Sequence, residues 1–122
     1  MQPAGDQAAF LAGFVVAEGC FTGNGDNRFL FAVGLGSADG EFCRALPGLL
    51  GVGAVHTHGR RREHYQDEVT FRVSAVPDLV EVVVPFMDEH LPPSHKREQY
   101  LAWRADLLEY WETKAKRRRT CT

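Results

Sequence analysis

The sequence predicts an α+β domain in which a four-stranded antiparallel sheet carries helices on one face. Two observations predict this fold class. Four short segments show the period-two alternation of apolar residues that is typical of half-buried strands, and they occur as two pairs. Segments with apolar residues at helical spacing precede each pair, and two more follow the second pair. The predicted order of elements is therefore α-β-β-α-β-β-α-α.

The first helix and the first hairpin occupy the N-terminal part of the chain. Asp6 can cap a helix that is expected to run to about Glu18, because Gly19 is a residue type at which helices commonly end. The apolar positions of this helix recur at helical spacing and are Phe10, Leu11, Phe14 and Val15. Two strands are expected next, at about residues 20–24 and 28–34, joined by a Gly-Asp-Asn turn.

The second helix precedes a second hairpin. Ser37 can cap this helix, and a Gly-Val-Gly run at residues 51–53 ends it. Its expected buried stripe consists of Phe42, Leu46, Leu49 and Leu50. The strands of the second hairpin are expected at about residues 54–58 and 68–75, and a polar stretch connects them.

Two helices complete the predicted fold. Pro77 suits the first position of a helix over residues 78–87, which Pro85 is expected to bend or end because proline lacks a backbone N–H. Ser94 is expected to cap the last helix. The core face of that helix is predicted to hold Tyr100, Leu101, Leu107, Leu108 and Trp111.

The period-two pattern also separates the two faces of the sheet, because successive side chains of a strand point to opposite sides. The face against the helices is predicted to carry Phe21, Phe29, Phe31, Val33, Val55, Val69, Phe71 and Val73. The opposite, open face is predicted to carry Cys20, Thr22, Asn24, Arg28, Leu30, Ala32, His56, His58, Glu68, Thr70 and Arg72. With helices on one side only, this second face is open to water or to a ligand.

Composition limits the class of protein. The 122 residues are expected to form a single domain over residues 1–113, followed by a basic C-terminal tail over residues 114–122. No apolar run approaches the roughly 18 to 20 residues of a membrane span, and the acidic start lacks the basic flank of a signal peptide. The three cysteines, Cys20, Cys43 and Cys121, form an odd set without C-x-x-C spacing, which favours reduced thiols in a cytoplasmic protein.

The charges are segregated along the chain. The net charge of −2 argues at first against a polyanionic partner. However, residues 1–53 hold two basic and five acidic residues, whereas the segment from residue 94 to the end holds eight basic ones. Three further arginines, Arg60, Arg61 and Arg62, lie in the predicted loop of the second hairpin. Basic side chains grouped in this way can neutralise phosphates, although a solvated loop and a disordered tail would have the same composition.

The end of the first helix carries the most informative motif. Residues 11–19 read Leu-Ala-Gly-Phe-Val-Val-Ala-Glu-Gly, which strongly resembles the LAGLIDADG motif of homing endonucleases. The resemblance continues in the order of elements from about residue 10 to residue 111. It includes the Gly-Val-Gly run, a Pro-Asp-Leu at residues 77–79 and a Leu-Pro-Pro-Ser-His-Lys at residues 91–96. The chain thus looks like a single-motif member of this family, whose members are associated with intron or intein mobility.

The resemblance implies a homodimer in which each subunit supplies one motif helix. Gly13 and Ala17 lie four residues apart, so that a second helix could approach closely along this small-residue strip. Taken alone, such a pair would more often pack within its own subunit. The implied dimer interface consists of Ala12, Gly13, Val16 and Ala17.

The same resemblance implies the catalytic residues. In the family, the acid at the position of Glu18 coordinates a divalent metal near the scissile phosphates, and the carbonyl of the preceding residue, here Ala17, is a further ligand. Mg²⁺, or another divalent cation, suits a hard carboxylate oxygen. Lys96 matches a basic residue that faces the active site from the start of the last helix, with His95 and Arg97 as weaker candidates. Without the resemblance, these would be ordinary charged residues at helix ends.

Two positions depart from the pattern of the family. Val16 stands where the motif commonly has Asp, but that residue is not the essential metal ligand. Leu35 falls near a Gln that orients the attacking water in some members, and a leucine cannot do so. The protein would then position water with other groups, or cleave poorly or not at all.

The open face of the sheet is the expected DNA-binding surface. Donors and acceptors on or near it are predicted to contact double-stranded DNA in the major groove, and the arginine loop to contact phosphates. The predicted DNA-binding residues are Asn24, Arg28, His56, His58, Arg60, Arg61, Arg62, Tyr65, Thr70 and Arg72. A metal-binding pair of His56 and His58 is a disfavoured alternative, because no third ligand lies at suitable spacing.

The leading hypothesis is therefore a homodimeric, Mg²⁺-dependent DNA endonuclease in the cytoplasm, associated with the nucleoid when bound to DNA. Two alternatives stay open. The first is a DNA-binding protein on the same scaffold that cleaves weakly or not at all, such as a regulator or a maturase. The second is a dimeric interaction domain that binds no nucleic acid.

Overall fold

A computed structural model of the chain describes residues 5–23, 29–36, 40–58 and 68–120. The elements are α1 (Gly5–Glu18), β1 (Gly19–Thr22), β2 (Leu30–Gly36), α2 (Gly40–Leu50), β3 (Ala54–His58), β4 (Glu68–Val73), α3 (Val76–Asp78), a π-helical turn (Leu79–Val83), α4 (Val84–His90) and α5 (His95–Thr120). This order confirms the predicted α+β class. The predicted third helix is divided into α3, the π-helical turn and α4.

The four strands form one antiparallel sheet in the order β1-β2-β4-β3. Its register aligns Val33 of β2 with Phe71 of β4, and Phe71 with Val55 of β3, on the side of the helices. The strand residues on this side form the core with the helices: Phe31, Val33, Val69, Phe71 and Val73 are all buried. The predicted division of the sheet into a core face and an open face is therefore confirmed for the described strands.

Helix α1 packs on the sheet through residues three and four positions apart. Ala8, Leu11 and Val15 are fully buried, as expected for one face of a helix. The chain then turns directly into β1 at Gly19. A Cβ atom at this position would lie 2.7 Å from the carbonyl oxygen and from Cγ1 of Val15, so only glycine fits so close a connection.

Helix α2 buries only part of the predicted stripe. Cys43, Leu46 and Leu50 are in the core, but the prediction for Phe42 was wrong, because its side chain is 47% exposed. The ring of Phe42 instead packs on α1, with its centroid 5.6 Å from that of Phe10.

Proline shapes the third helical segment. Pro77 lies in the first turn of α3, as predicted. Pro85 lies at the start of α4, immediately after the wide π-helical turn. Because a proline ring clashes with the carbonyl four residues earlier, the wider turn lets the helix continue through Pro85 instead of ending there.

Helix α5 begins as predicted, because the hydroxyl of Ser94 accepts a 3.1 Å hydrogen bond from the backbone N–H of Arg97. Tyr100 and Leu107 are fully buried. The prediction for Leu101 was wrong, since its side chain is exposed, and Trp103 is buried in its place. The helix continues through Thr120, across the expected boundary between the domain and the tail at residue 113. Within the described ranges, no helix combines the length and apolarity needed to cross a bilayer.

Candidate functional site

The end of α1 brings the two predicted catalytic residues to the same place. Glu18 is the last residue of α1, and its side chain is exposed where the helical layer meets the sheet. The half-buried Lys96 reaches this point from the first turn of α5, where its Nζ donates a 2.7 Å hydrogen bond to the carbonyl oxygen of Gly19. An ammonium group therefore contacts the residue that follows the candidate metal ligand.

The neighbouring basic residues point elsewhere. The guanidinium of Arg97 donates hydrogen bonds to the carbonyl oxygens of Leu91 and Met87, at the end of α4. His95 is exposed, with its Nδ1 3.6 Å from a carboxylate oxygen of Glu98. Of the basic candidates at residues 95–97, Lys96 is the one in contact with the α1–β1 junction.

The described residues contain no cluster of metal ligands. In residues 5–23, 29–36, 40–58 and 68–120, no three described His, Cys, Asp or Glu side chains group as metal ligands. Among the described residues, the Glu18 carboxylate takes part in no ion pair. One hard oxygen ligand, with the adjacent carbonyl of Ala17, fits a cation that keeps several waters and shares phosphate oxygens, as Mg²⁺ does.

Arg72 stands at the centre of the open face. The register places it between Ala32 of β2 and Ala54 of β3, in a row that continues to Cys20 of β1. Because both neighbours are alanines, the side chain of Arg72 is the longest in this row. Arg72 is exposed, as the prediction of a DNA-binding role requires.

The next row of the open face holds Gly34, Thr70 and His56. His56 is exposed, as expected for a ligand-contacting residue. Thr70 is only 6% exposed, and its role in contacting DNA bases stays a prediction. It lies between Glu68 and Arg72, whose longer side chains project from the same face of β4.

Several predicted DNA-binding residues lie outside the described residues: Asn24, Arg28, Arg60, Arg61, Arg62 and Tyr65. For His58, the structure describes the backbone as the last residue of β3, paired with Glu68. Their contribution to binding stays a prediction.

The segregation of charge is weaker than the sequence indicates. Two basic residues of α5 are directed toward the helical layer: Arg97 as described above, and Arg104, whose Nε lies 3.0 Å from Asp88 Oδ1. The acidic Glu68 is exposed on the open face, as the alternation predicted, although it was not among the predicted DNA-binding residues. The alternation along β4 was the feature of the sequence that placed Glu68 on this face.

The outer side of α1 presents small residues to solvent. Gly13 and Ala17 are exposed and Val16 is half-buried, so these three positions are accessible for a partner helix. A Cβ atom at Gly13 would meet nothing within 4 Å. Ala12 is only 3% exposed and packs within its own chain, and its place in an interface stays a prediction.

Aromatic side chains border this strip. Phe10 is 54% exposed, and its ring stacks on Phe14 at a centroid distance of 6.3 Å and contacts Phe42 at 5.6 Å. The rings of Phe14 and Phe42 are 6.3 Å apart. Such a group of exposed large apolar side chains is unusual on a soluble monomer and is typical of an interaction surface.

Sequence comparisons do not identify relatives of this chain: no protein-family model and no curated protein matches it. Solved structures do match. The LAGLIDADG homing endonuclease I-LtrWI, bound to its target DNA, superposes with a TM-score of 0.71 at 21% identity over 86% of this chain. The LAGLIDADG meganuclease I-CpaMI, bound to uncleaved DNA, gives 0.70 at 24% identity over 88%. The homing endonuclease I-GzeII, in complex with its DNA target, gives 0.71 at 20% identity over 87%.

The match covers only part of each of these structures. This chain spans 37% of I-LtrWI, 39% of I-CpaMI and 36% of I-GzeII. Within that part, helices, strands and the open sheet correspond over most of the chain. This chain therefore has the fold of the LAGLIDADG homing endonucleases.

Proposed function

We propose that the chain is one subunit of a homodimeric, divalent-metal-dependent DNA endonuclease that recognises a long, near-palindromic site and cuts both strands. The observation that carries this proposal is the contact of Lys96 Nζ with Gly19 O, which holds an ammonium group at the residue that follows Glu18, where α1 meets the sheet. Solved proteins of this fold are DNA-bound endonucleases, which supports the same reaction class.

Glu18 and the carbonyl of Ala17 are the residues that would hold Mg²⁺ or another divalent cation. Such an ion supplies positive charge near the scissile phosphate and lowers the pKa of bound water. The contribution of Glu18 is an exposed, hard oxygen ligand at a fixed helix end.

Lys96 contributes a preorganised positive charge. One of its three N–H bonds is directed at Gly19 O, so the ammonium is held in place while its other N–H bonds can face a bound phosphate. A fixed donor aimed at developing negative charge lowers the barrier to phosphodiester hydrolysis without reorganisation during the reaction.

The homodimer follows from what a single chain lacks. One chain offers one exposed Glu18, whereas cutting two strands requires two such sites. The exposed small residues Gly13 and Ala17 permit close approach of a second α1, and that approach would cover the aromatic group at Phe10 and Phe42. The chain also spans less than half of the matched endonucleases, which leaves room for a second unit of this size.

One observation favours a second candidate function, a DNA-binding protein that does not cleave. Leu35 packs against the hydrophobic core, on the side of the sheet away from the open face. It therefore cannot orient a water molecule on the open side. A regulator or maturase would need only the DNA-binding face and the dimer.

A cleavage and binding experiment separates the two candidates. Wild type, Glu18→Gln and a control, Glu109→Gln, are incubated with a randomised duplex library and Mg²⁺, and the DNA ends are sequenced. Glu109 is exposed on α5, away from the α1–β1 junction. The endonuclease proposal expects one shared set of paired ends for wild type and the control, and none for Glu18→Gln.

Two other results would decide against cleavage. Equal end profiles for Glu18→Gln and wild type would defeat the assignment of Glu18. Absence of specific ends in all three samples, with enrichment of one sequence in a gel shift, would leave the non-cleaving DNA-binding protein as the function.

A further inference from the structure

Glu68 occupies an unusual place on the open face. It begins β4, and the register aligns it with Gly36 on one side and His58 on the other. In the adjoining row, a Cβ atom at Gly34 would lie 3.0 Å from Glu68 Oε1. The carboxylate therefore lies over the backbone of β2, in space that is free because neither β2 position carries a side chain.

An exposed carboxylate is a poor group for general DNA affinity, because it repels phosphates. On the same face, Arg72 and His56 provide the groups that DNA binding would use for attraction. The direct way in which a carboxylate in this setting favours DNA is to accept a hydrogen bond from a base edge, since an ionised carboxylate is an acceptor without a donor.

The four bases differ in what they offer such an acceptor in the major groove. Cytosine presents the N4 amino group as a donor, with no acceptor beside it. Guanine presents two acceptors and thymine one, which a carboxylate repels. Adenine presents a donor next to the acceptor N7, so only a group that both accepts and donates satisfies it fully.

We infer that Glu68 is a specificity-determining residue that selects cytosine at one base pair of each half-site. This inference rests on the proposed DNA-binding function, but it does not depend on cleavage. In the homodimer, the two copies of Glu68 select cytosine at positions related by the two-fold axis, on opposite strands.

The test is a binding selection with a randomised duplex library, carried out on ice with short incubation so that intact DNA is recovered. Four proteins are compared: wild type, Glu68→Gln, Glu68→Ala and the control Glu81→Gln. Glu68→Gln keeps the shape of the side chain and adds a donor. Glu81 is an exposed acid in the helical layer, so its replacement changes the net charge equally.

We expect wild type and Glu81→Gln to enrich cytosine at one position of each half-site, by about 5- to 150-fold over the other bases. Glu68→Gln should shift that position toward adenine, because an amide can pair with adenine N6 and N7. Glu68→Ala should lose the preference there and keep the preferences at the remaining positions.

An unchanged profile for both Glu68 variants would overturn the inference while leaving the DNA-binding proposal intact. An equal rise in the affinity of the Glu68 variants for all sequences would also overturn the inference, because Glu68 would then only repel phosphates in general. If no protein of the set enriches any sequence, the proposed recognition of a DNA site fails, and the inference fails with it.

Discussion

Lys96 of α5 and Gly19 of β1 are joined by a 2.7 Å hydrogen bond from Nζ to the backbone carbonyl, across 77 positions of sequence. The bond ties the start of the last helix to the residue at which the first helix becomes a strand. We therefore expect Lys96 to affect both the stability of the fold and the proposed cleavage reaction. A substitution of Lys96 can be used to measure each effect by itself.

Replacing Lys96 by methionine should leave the carbonyl of Gly19 without its donor and should destabilise the fold by about 1–2 kcal/mol. If Lys96 also stabilises the reacting phosphate, the cleavage rate should fall by about 10²- to 10³-fold with little change in DNA affinity. Urea unfolding and single-turnover cleavage measure the two effects. Lys114→Met, at a half-buried position further along α5, is the control. A full cleavage rate in Lys96→Met would exclude the catalytic role.

Three glycines around the end of α2 should respond differently to alanine. Gly53 has a φ of 94°, and a Cβ atom there would lie 2.5 Å from the ring of Phe71, so Gly53→Ala should cost about 2–4 kcal/mol. Gly51 has a φ of 79° but open space around it, so Gly51→Ala should cost only about 1–2 kcal/mol. Gly48 is helical with open space, so Gly48→Ala should stabilise by about 0.5–1 kcal/mol.

Urea midpoints of the three variants check this order. Equal losses at Gly51 and Gly53 would mean that the contact with Phe71 relaxes without cost, and that backbone strain alone determines the penalty. A loss at Gly48 would contradict the argument from helix propensity.

The strands were more predictable from the sequence than the helix faces. In a strand, either of two sets of alternating side chains can face the helices. The large apolar residues Phe31, Val33 and Phe71 identify the set that is buried. On a helix, neighbouring apolar residues compete for the same face, as Phe42 and Cys43 do in α2. The choice between them depends on which one the sheet contacts, and the local pattern does not contain that information.

The candidate site was predictable where a motif named its residues and less so where tertiary contacts decide. Glu18 and Lys96 follow from their motifs, and the fold brings both to the α1–β1 junction. Lys96 and Arg97 are adjacent in sequence but contact different parts of the fold, because Arg97 donates hydrogen bonds to carbonyls at the end of α4. The local sequence does not show this difference. The low exposure of Thr70 was not predicted, because alternation assigns a residue to a face of the sheet and not its exposure there.

Alkaline pH should destabilise the fold through Tyr100. Its single hydroxyl proton is shared between Asp88 Oδ1 at 2.6 Å and Val84 O at 3.1 Å. Burial, together with the bond to Asp88, raises the pKa of Tyr100 above its ordinary value of 10.0. Because the unfolded chain ionises first, stability is fully present below about pH 10 and is lost as the pH rises toward the higher pKa of the folded state.

Urea unfolding at a series of pH values checks this dependence. Tyr100→Phe should be less stable than wild type by about 1 kcal/mol near neutral pH, yet should lose less stability above pH 10. The control is Tyr110→Phe, at a half-buried tyrosine on the same helix. Parallel pH profiles for wild type and Tyr100→Phe would show that another group governs alkaline unfolding. Cys43 is one such group, because burial raises the pKa of its thiol as well.

In the proposed homodimer, a bulky side chain on the outer face of α1 should separate the subunits without unfolding them. Gly13 and Gly48 both lie in helices with nothing within 4 Å of an added Cβ, and leucine favours a helix more than glycine does. Both substitutions should therefore preserve the fold of the subunit. Only Gly13→Leu lies on the proposed interface, where it would prevent close approach of the partner helix.

Sedimentation equilibrium should then give a dimer for wild type and for Gly48→Leu, and a monomer with native circular dichroism for Gly13→Leu. Phe10→Glu should act in the same direction, because it places a charge in the aromatic group that the dimer is expected to cover. Loss of the dimer should also abolish double-strand cleavage, since each subunit contributes one Glu18. A Gly13→Leu protein that stays dimeric would require the subunits to meet through a different surface.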